Sequence, residues 1–288
     1  MIKVLRRLIV LVILSFIFPV TGSSAFQPDS QFYDSLQQRL IADGFDAERV
    51  KRLYRNQAVC FEAHGVTAYF QHNESRLDYD QFTKRAHILQ AKEYMRRHAE
   101  ILSRAEKRLG VDPRVITAII LVETRLGTFL GNRRIINTLS TMASLTEAPA
   151  REYLWEQIPS ERRFSRTDYD RKADQKSSWA YRELKAFLAY SELHEVDAPS
   201  VIGSYAGALG IAQFMPSSIM AFGMDGDGDG RIDLFNDADA IFSIANYLKN
   251  FGWKPGINRE QAYKAVFQYN RSKYYVNTVL KIVDLLEG

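Results

Sequence analysis

SYAGALGIAQFMPSS at residues 204–218, and MDGDGDGRID at residues 224–233, decide how this chain is read. In the first stretch Gly207 and Gly210 allow close backbone approach. Gln213 sits among Phe214, Met215 and Pro216, ahead of Ser217, which is placed to cap a new helix. Such a segment serves tight helix packing as readily as it serves the wall of a binding cleft. In the second stretch Asp225, Asp227 and Asp229 occupy positions 1, 3 and 5 of a calcium loop, with Gly230 at 6, the carbonyl of Arg231 at 7 and Ile232 at 8. Asn236 stands where such loops usually carry their bidentate Glu. The closing carboxylate is therefore expected from Asp239, near the start of the next helix, with Asp237 as second choice. The competing reading is an Asp-Gly turn that holds no metal.

Working outward, helical periodicity dominates and alternating strand patterns are scarce. Phe32, Leu36 and Leu40 recur at helical spacing, and Gly44 ends that helix. Residues 61–80 read as loop or a short hairpin, and 83–109 as one long amphipathic helix closed by Gly110. Asp112 then offers an N-cap and Pro113 a first helical position. The helix that follows, 114–123, is apolar on nearly every side (Val115, Ile116, Ala118, Ile119, Ile120, Leu121, Val122), so it is expected to be buried. Further helices are expected over 135–145, 179–193, 239–251, 259–269 and 274–286. Residues 147–178 are charged and weakly periodic, and read as an insertion or a flexible lid.

Glu123 ends the apolar helix. A carboxyl held against apolar neighbours is desolvated, and that favours the protonated state a general acid needs. The alternative is a structural ion pair with Arg125 or Arg133. Near the C-terminus Tyr269, Asn270 and Tyr275 put two phenols and an amide in one short stretch. Aromatic faces and amides suit pyranose rings and N-acetyl groups, although a tyrosine pair at this spacing also serves a core.

Composition removes other classes. The 288 residues, 46% hydrophobic and 25% charged, suffice for a real core. Lys3, Arg6 and Arg7 precede an apolar run over 8–20, and Ser23, Ser24 and Ala25 supply small residues at a cleavage site. Residues 1–25 therefore read as a secretory signal peptide, too short in its apolar run to be a span, and the mature chain is expected to be exported. Without the three leader cations the chain carries 35 basic and 34 acidic residues, which removes the electrostatic case for nucleic-acid binding. Cys60 is the only cysteine, so there is no intramolecular disulfide, and a buried inert thiol is expected. The five histidines show no metal-site spacing and read as surface or packing residues.

Four blocks occur in order: 110–125 with Glu123; 204–218; the acidic loop running into Asn246-Tyr247 and Gly252-Trp253; and Tyr269-Asn270 with Tyr275. Together they resemble the membrane-bound lytic murein transglycosylase B family over roughly residues 85–280. The resemblance implies a mainly α fold: a lysozyme-like helical core with an EF-hand-like calcium loop and small peripheral elements. It implies an N-terminal helical segment at 26–82 packing on a catalytic domain at 83–288, with 147–178 as a charged insertion. By the same resemblance Glu123 is the single catalytic acid, and Ser204, Gln213, Tyr269, Asn270 and Tyr275 line the saccharide cleft. Asp225, Asp227, Asp229, Arg231 and Asp239 hold a structural calcium ion. Leu126 stands where the family commonly has Trp, and Lys176 and Trp179 are expected in place of a cleft Arg and Tyr. The implied activity is periplasmic cleavage of peptidoglycan glycan strands with formation of 1,6-anhydromuramic acid, with cell-wall remodelling proteins as candidate partners. A hydrolytic muramidase on the same fold and a catalytically silent wall-binding protein are the alternatives.

Overall fold

The computed structural model describes residues 29–71 and 78–287, so the expected signal peptide lies outside the described residues. Its centre is α6 (Pro113–Thr124), buried over most of its circumference, as the apolar sequence demands. Asp112 caps its start by accepting from Arg114 N, Pro113 takes the first position, and Gly110 ends the preceding helix with φ 72°. Around it pack α4 (Arg85–Arg97), α5 (Ala99–Leu109), α11 (Asp237–Asn250) and α13 (Lys273–Glu287). The helix expected over 83–109 is thus two, broken at His98, with a 3₁₀ turn at Tyr79–Thr83 before them.

A second layer is built on α7 (Ile135–Ala143) and α9 (Arg166–Leu193), the most extensively packed pair in the molecule. At 28 residues α9 runs about 42 Å. The stretch 147–178 does not form a flexible lid: it folds as α8 (Ala148–Gln157) and the first half of α9, which bury Ala150, Leu154, Tyr169, Ala173 and Ser177. Residues 61–80 are likewise not a hairpin, since they contain α3 (Ala63–Gln71). The N-terminal helices α1 (Asp34–Ala42) and α2 (Ala47–Tyr54) lie on this layer through buried hydroxyls: Tyr33 OH meets Thr141 Oγ1, and Tyr54 OH meets Ser140 Oγ at 2.8 Å.

Between the two layers runs the segment 202–215. β1 (Arg133–Arg134) pairs antiparallel with β2 (Ile202–Gly203), and single bridges join Gly203 to Leu209 and Leu209 to Phe214. Gly210 shows why the turn needs glycine: φ is 75°, and a Cβ there would sit 2.5 Å from Leu234 Cβ. The turn feeds α10 (Pro216–Phe222), whose N-cap is Met215. Ser217 is therefore inside the helix. Its N–H and hydroxyl both donate to the buried Glu183 carboxylate of α9, at 2.9 and 2.8 Å. Among the described residues no helix is long and apolar enough to cross a membrane.

Candidate active site

Glu123 lies in the last turn of α6, where the backbone reverses abruptly. Arg125 and Leu126 both adopt left-handed conformations, with φ of 49° and 61°, a costly geometry for side-chain-bearing residues. Thr124 holds that reversal in place. Its hydroxyl, fully buried, lies within hydrogen-bonding reach of the carbonyls of Ile120 and Ile211 (3.2 and 3.1 Å) and accepts from Gly127 N. The helix end carrying Glu123 is thereby tied to the 204–218 turn, and α6 is too well packed to let either move alone.

Tyr275, on the first turns of α13, donates its phenol to Glu123 Oε1 at 2.7 Å. Its ring lies parallel to that of Tyr269, at the end of α12 (Arg259–Tyr269), with centroids 6.4 Å apart. Tyr269 in turn donates its phenol to Ala212 O, beside Gln213. Burial, reinforced by the Glu123 charge, pushes both phenols well above their ordinary range, so both remain protonated donors. The line of residues Glu123, Tyr275, Tyr269 and Ala212-Gln213 brings three distant sequence blocks to one place.

Gln213 is itself strained, with φ 47°, and its Nε2 donates to Gly210 O at 2.9 Å. Its carboxamide oxygen has no hydrogen-bond partner among the described residues. Ser204 Oγ accepts from Ala206 N and Ala208 N, so it shapes the turn while its own proton stays available. Asn270 caps α12 half-buried, its side chain outside the hydrogen-bond network of the described residues. Among the described residues no hydrogen bond joins Ser204 or Asn270 to Glu123. The alternative ion pair of Glu123 with Arg125 or Arg133 is not formed among the described residues: Arg133 bridges Glu62 at 3.2 Å, and Arg125 donates to Gln81 Oε1.

Three aromatic residues of this region carried no usable signal, being single side chains in segments without periodicity. Tyr79 packs its ring edge-on against Tyr275, with centroids 6.4 Å apart. Tyr69 lies against both Trp179 and Tyr205, the residue after Ser204. Lys176 reaches this patch, its Nζ 4.4 Å from the Tyr69 ring centroid and 5.1 Å from that of Trp179. The two residues expected in the cleft, Lys176 and Trp179, thus share one surface with Tyr69 beside Ser204.

The acidic loop leads from α10 to α11. Asp225, Asp227 and Asp229 each offer a carboxylate oxygen within 4.8 Å of the others. The N–H groups of Gly228 and Gly230 point at Asp225 and hold its carboxyl below the usual range. The nearby cation does not neutralise the cluster, because Arg231 pairs with Glu195. Three like charges gathered with glycine on either side are a donor set suited to a hard divalent cation. Asp239 is not in that cluster. It is buried behind the loop, where its two oxygens accept from Gly226 N (2.7 Å) and Asp233 N (2.6 Å), and burial pushes its carboxyl up. Asp237 instead accepts from Tyr94 OH at 2.6 Å. His194, read as a surface or packing residue, packs at the C-cap of α9: its Nδ1 accepts from Ile232 N while Tyr190 OH donates to Ile232 O, so the end of α9 grips both sides of that residue.

Residues 28–260 match the transglycosylase SLT domain family. Over 163 residues the chain is 35% identical to membrane-bound lytic murein transglycosylase B of Escherichia coli K12, a match covering 57% of this chain and 38% of that protein. The chain therefore spans well under half the length of that curated relative. The fold matches soluble lytic transglycosylase SltB1 of Pseudomonas aeruginosa with a TM-score of 0.71 and 26% identity, over 89% of this chain and 98% of that one. It also matches the E. coli lytic transglycosylase Slt35 solved in complex with calcium, with a TM-score of 0.69 and 22% identity, over 92% and 95% of the two chains.

Proposed function

The chain belongs to the transglycosylase SLT domain family, and from that membership we propose that it is a lytic murein transglycosylase. It cleaves the β-1,4 bond between N-acetylmuramic acid and N-acetylglucosamine and leaves 1,6-anhydromuramic acid. The observation that carries this reading is the Glu123 carboxylate on a rigid apolar helix, met by the Tyr275 phenol at 2.7 Å. Glycosidases that use water need a second carboxylate as base or nucleophile. Here the muramyl C6 hydroxyl serves as nucleophile. Protonated Glu123 gives its proton to the glycosidic oxygen; as carboxylate it then takes the proton of the C6 hydroxyl, so one group serves as acid and as base. Tyr275 donates to that carboxylate between the two steps and holds its orientation. Gln213, whose carboxamide oxygen has no partner among the described residues, Ser204, Asn270 and the face of Tyr269 bind the sugars and their N-acetyl groups. The patch of Tyr69, Lys176 and Trp179 continues the surface along the strand.

Calcium belongs to the same proposal. The carboxylates of Asp225, Asp227 and Asp229 and the carbonyl of Arg231 would hold it, with Asp239, expected from the sequence as the closing ligand, bracing the loop from behind instead, and the ion would supply charge neutralisation and rigidity alone. Asp239 already braces the loop backbone at Gly226 and Asp233, so the loop and the start of α11 act as one unit behind the Gln213 turn. The basic residues and apolar run at 1–25 support export to the periplasm as part of the same reading, where murein would be the substrate.

Glu123→Gln is the direct test of the assignment. The amide keeps shape but has no acidic proton, so solubilisation of purified peptidoglycan should fall by about 10²-fold or more. Activity above a tenth of wild type would remove Glu123 from the role.

A further inference from the structure

The chain that leaves α6 crosses from the helix end carrying Glu123 to the Ser204 turn in a few residues, and nearly every step is tied. Leu126 N donates to Ile120 O, Gly127 N to Thr124 Oγ1, and Phe129 N to Thr124 O at 2.9 Å. The Thr128 hydroxyl donates to Arg125 O at 2.8 Å. Further on, Gln213 Nε2 lies 3.4 Å from Leu130 O. Gly131, with φ 94°, is pressed so close to the next turn that a Cβ there would run into the Gly203 carbonyl and Ser204 N. Residues 127–131 thus start beside Glu123, pass Gln213 and end at Ser204, the three positions to which acid catalysis and sugar binding are assigned above.

On this braced loop stands Phe129, 64% exposed, more than any other aromatic residue among the described residues. A lone exposed apolar residue is ordinary, and Leu193, at the far end of α9, is one. Phe129 differs because of where its backbone is held: between the acid and the sugar-binding side chains, on a loop whose hydrogen bonds leave it little freedom to fold the ring away. A phenyl ring offers water no hydrogen bond, whereas one face of a pyranose presents C–H groups that lie flat on an aromatic face. Amides and hydroxyls such as those of Gln213, Ser204 and Asn270 bond the rim of a sugar ring and leave that face uncovered. The phenyl ring also costs little to order, with two side-chain torsions on a backbone already fixed.

Resting on the transglycosylase reading above, we propose that Phe129 is a stacking platform for a pyranose ring of the glycan strand, set beside Glu123 and separate from the polar groups that fix the sugar's orientation. It contributes affinity for the strand and takes no part in proton transfer. Release of water from the sugar face and the ring drives the contact, so it holds at a salt concentration that would screen an ion pair.

Three variants test it: Phe129→Ala, Phe129→Tyr and, as an exposed apolar control at the far end of α9, Leu193→Ala. Initial rates are taken on soluble glycan strands. Binding of an N-acetylglucosamine tetramer is titrated calorimetrically in the Glu123→Gln background, where cleavage is suppressed. Phe129→Ala should raise KM on strands and weaken tetramer binding by about tenfold, what covering one ring face contributes. Its kcat and melting temperature should be unchanged, the mark of lost uniform binding. Phe129→Tyr, which keeps the flat ring, should restore both, and Leu193→Ala should change neither. Phe129→Ala that binds like its parent, Phe129→Tyr as weak as Phe129→Ala, or a loss in kcat alone overturns the platform. Tetramer binding that depends on Phe129, in a protein that releases no muropeptide from strands, keeps the platform and removes the transglycosylase reading. Strand cleavage and tetramer binding both indifferent to Phe129 do the reverse.

Discussion

Tyr275→Phe isolates the contact on which the site is built. The Tyr275 ring is 1% exposed and packs between Tyr79 and Tyr269. Truncation to Ala would open a cavity costing about 3–5 kcal/mol and would confound folding with chemistry. Phe keeps the ring and deletes one oxygen, the donor 2.7 Å from Glu123 Oε1. A hydrogen bond to a charged group contributes about 1.5–3 kcal/mol. The phenol is needed most when Glu123 is a carboxylate, after it has protonated the leaving oxygen and before it takes the C6 proton. If that interaction is lost in the rate-determining region, kcat should fall by roughly 10- to 150-fold, with KM little changed because the phenol is turned to the enzyme's own carboxylate. The assay is initial-rate release of soluble muropeptides from purified sacculi, paired with thermal unfolding. Activity within twofold of wild type, with the fold intact, would refute the role given to Tyr275.

Three further outcomes are expected. Removing calcium with a chelator should lower the melting temperature by about 5–10 °C, since saturation at a hundred times the dissociation constant stabilises the folded state by about 2.7 kcal/mol; Asp225→Ala with Asp229→Ala should abolish the response, and a melting curve indifferent to chelator and to added calcium would remove the metal. Gly210→Ala should cost about 3 kcal/mol or more, from the positive φ and from a Cβ driven against Leu234, and should cut activity with it; a stability loss under 1 kcal/mol in urea unfolding would show that the turn yields. Tyr54, Tyr190, Tyr269 and Tyr275 all have phenols raised by burial. Such groups contribute stability that is complete below the unfolded phenol value, about 10, and is lost as pH rises toward the folded one. Urea midpoints should therefore hold from neutral pH upward and fall above about pH 10, and an unchanged midpoint well above that pH would contradict the burial.

Much of α6 was legible because every local signal agrees there: Gly110 stops one helix, Asp112 and Pro113 start the next, and a nearly all-apolar sequence can only be buried. α9 was not legible beyond its second half. Its buried face runs through Ala173, Ser177, Ala180 and Glu183, small or polar residues whose burial follows from tertiary packing, and the charges around them drown the periodicity. The break at His98 has no glycine or proline to announce it. α3 starts with Glu62 Oε1 accepting from Gly65 N, a cap made by a residue that does not announce one, and Gly65 within a short segment reads as a turn. At the site, Glu123, Gln213, Tyr269 and Tyr275 could be picked from their motifs, whereas Tyr79, Tyr69 and Tyr205 owe their places to tertiary packing. The role of Glu183 in holding Ser217 is of the same kind, a partner 34 residues away that no local pattern signals.

One carboxylate acting first as acid and then as base, with the muramyl C6 hydroxyl as nucleophile, is the central claim, and the chemical form of the new sugar end tests it most directly. Purified peptidoglycan should be digested with the protein lacking residues 1–25 in water enriched in heavy oxygen, and the released muropeptides weighed by mass spectrometry. Products ending in 1,6-anhydromuramic acid, without incorporated heavy oxygen, are the predicted result. Reducing ends that carry oxygen from the labelled water would contradict it and make the enzyme a hydrolase.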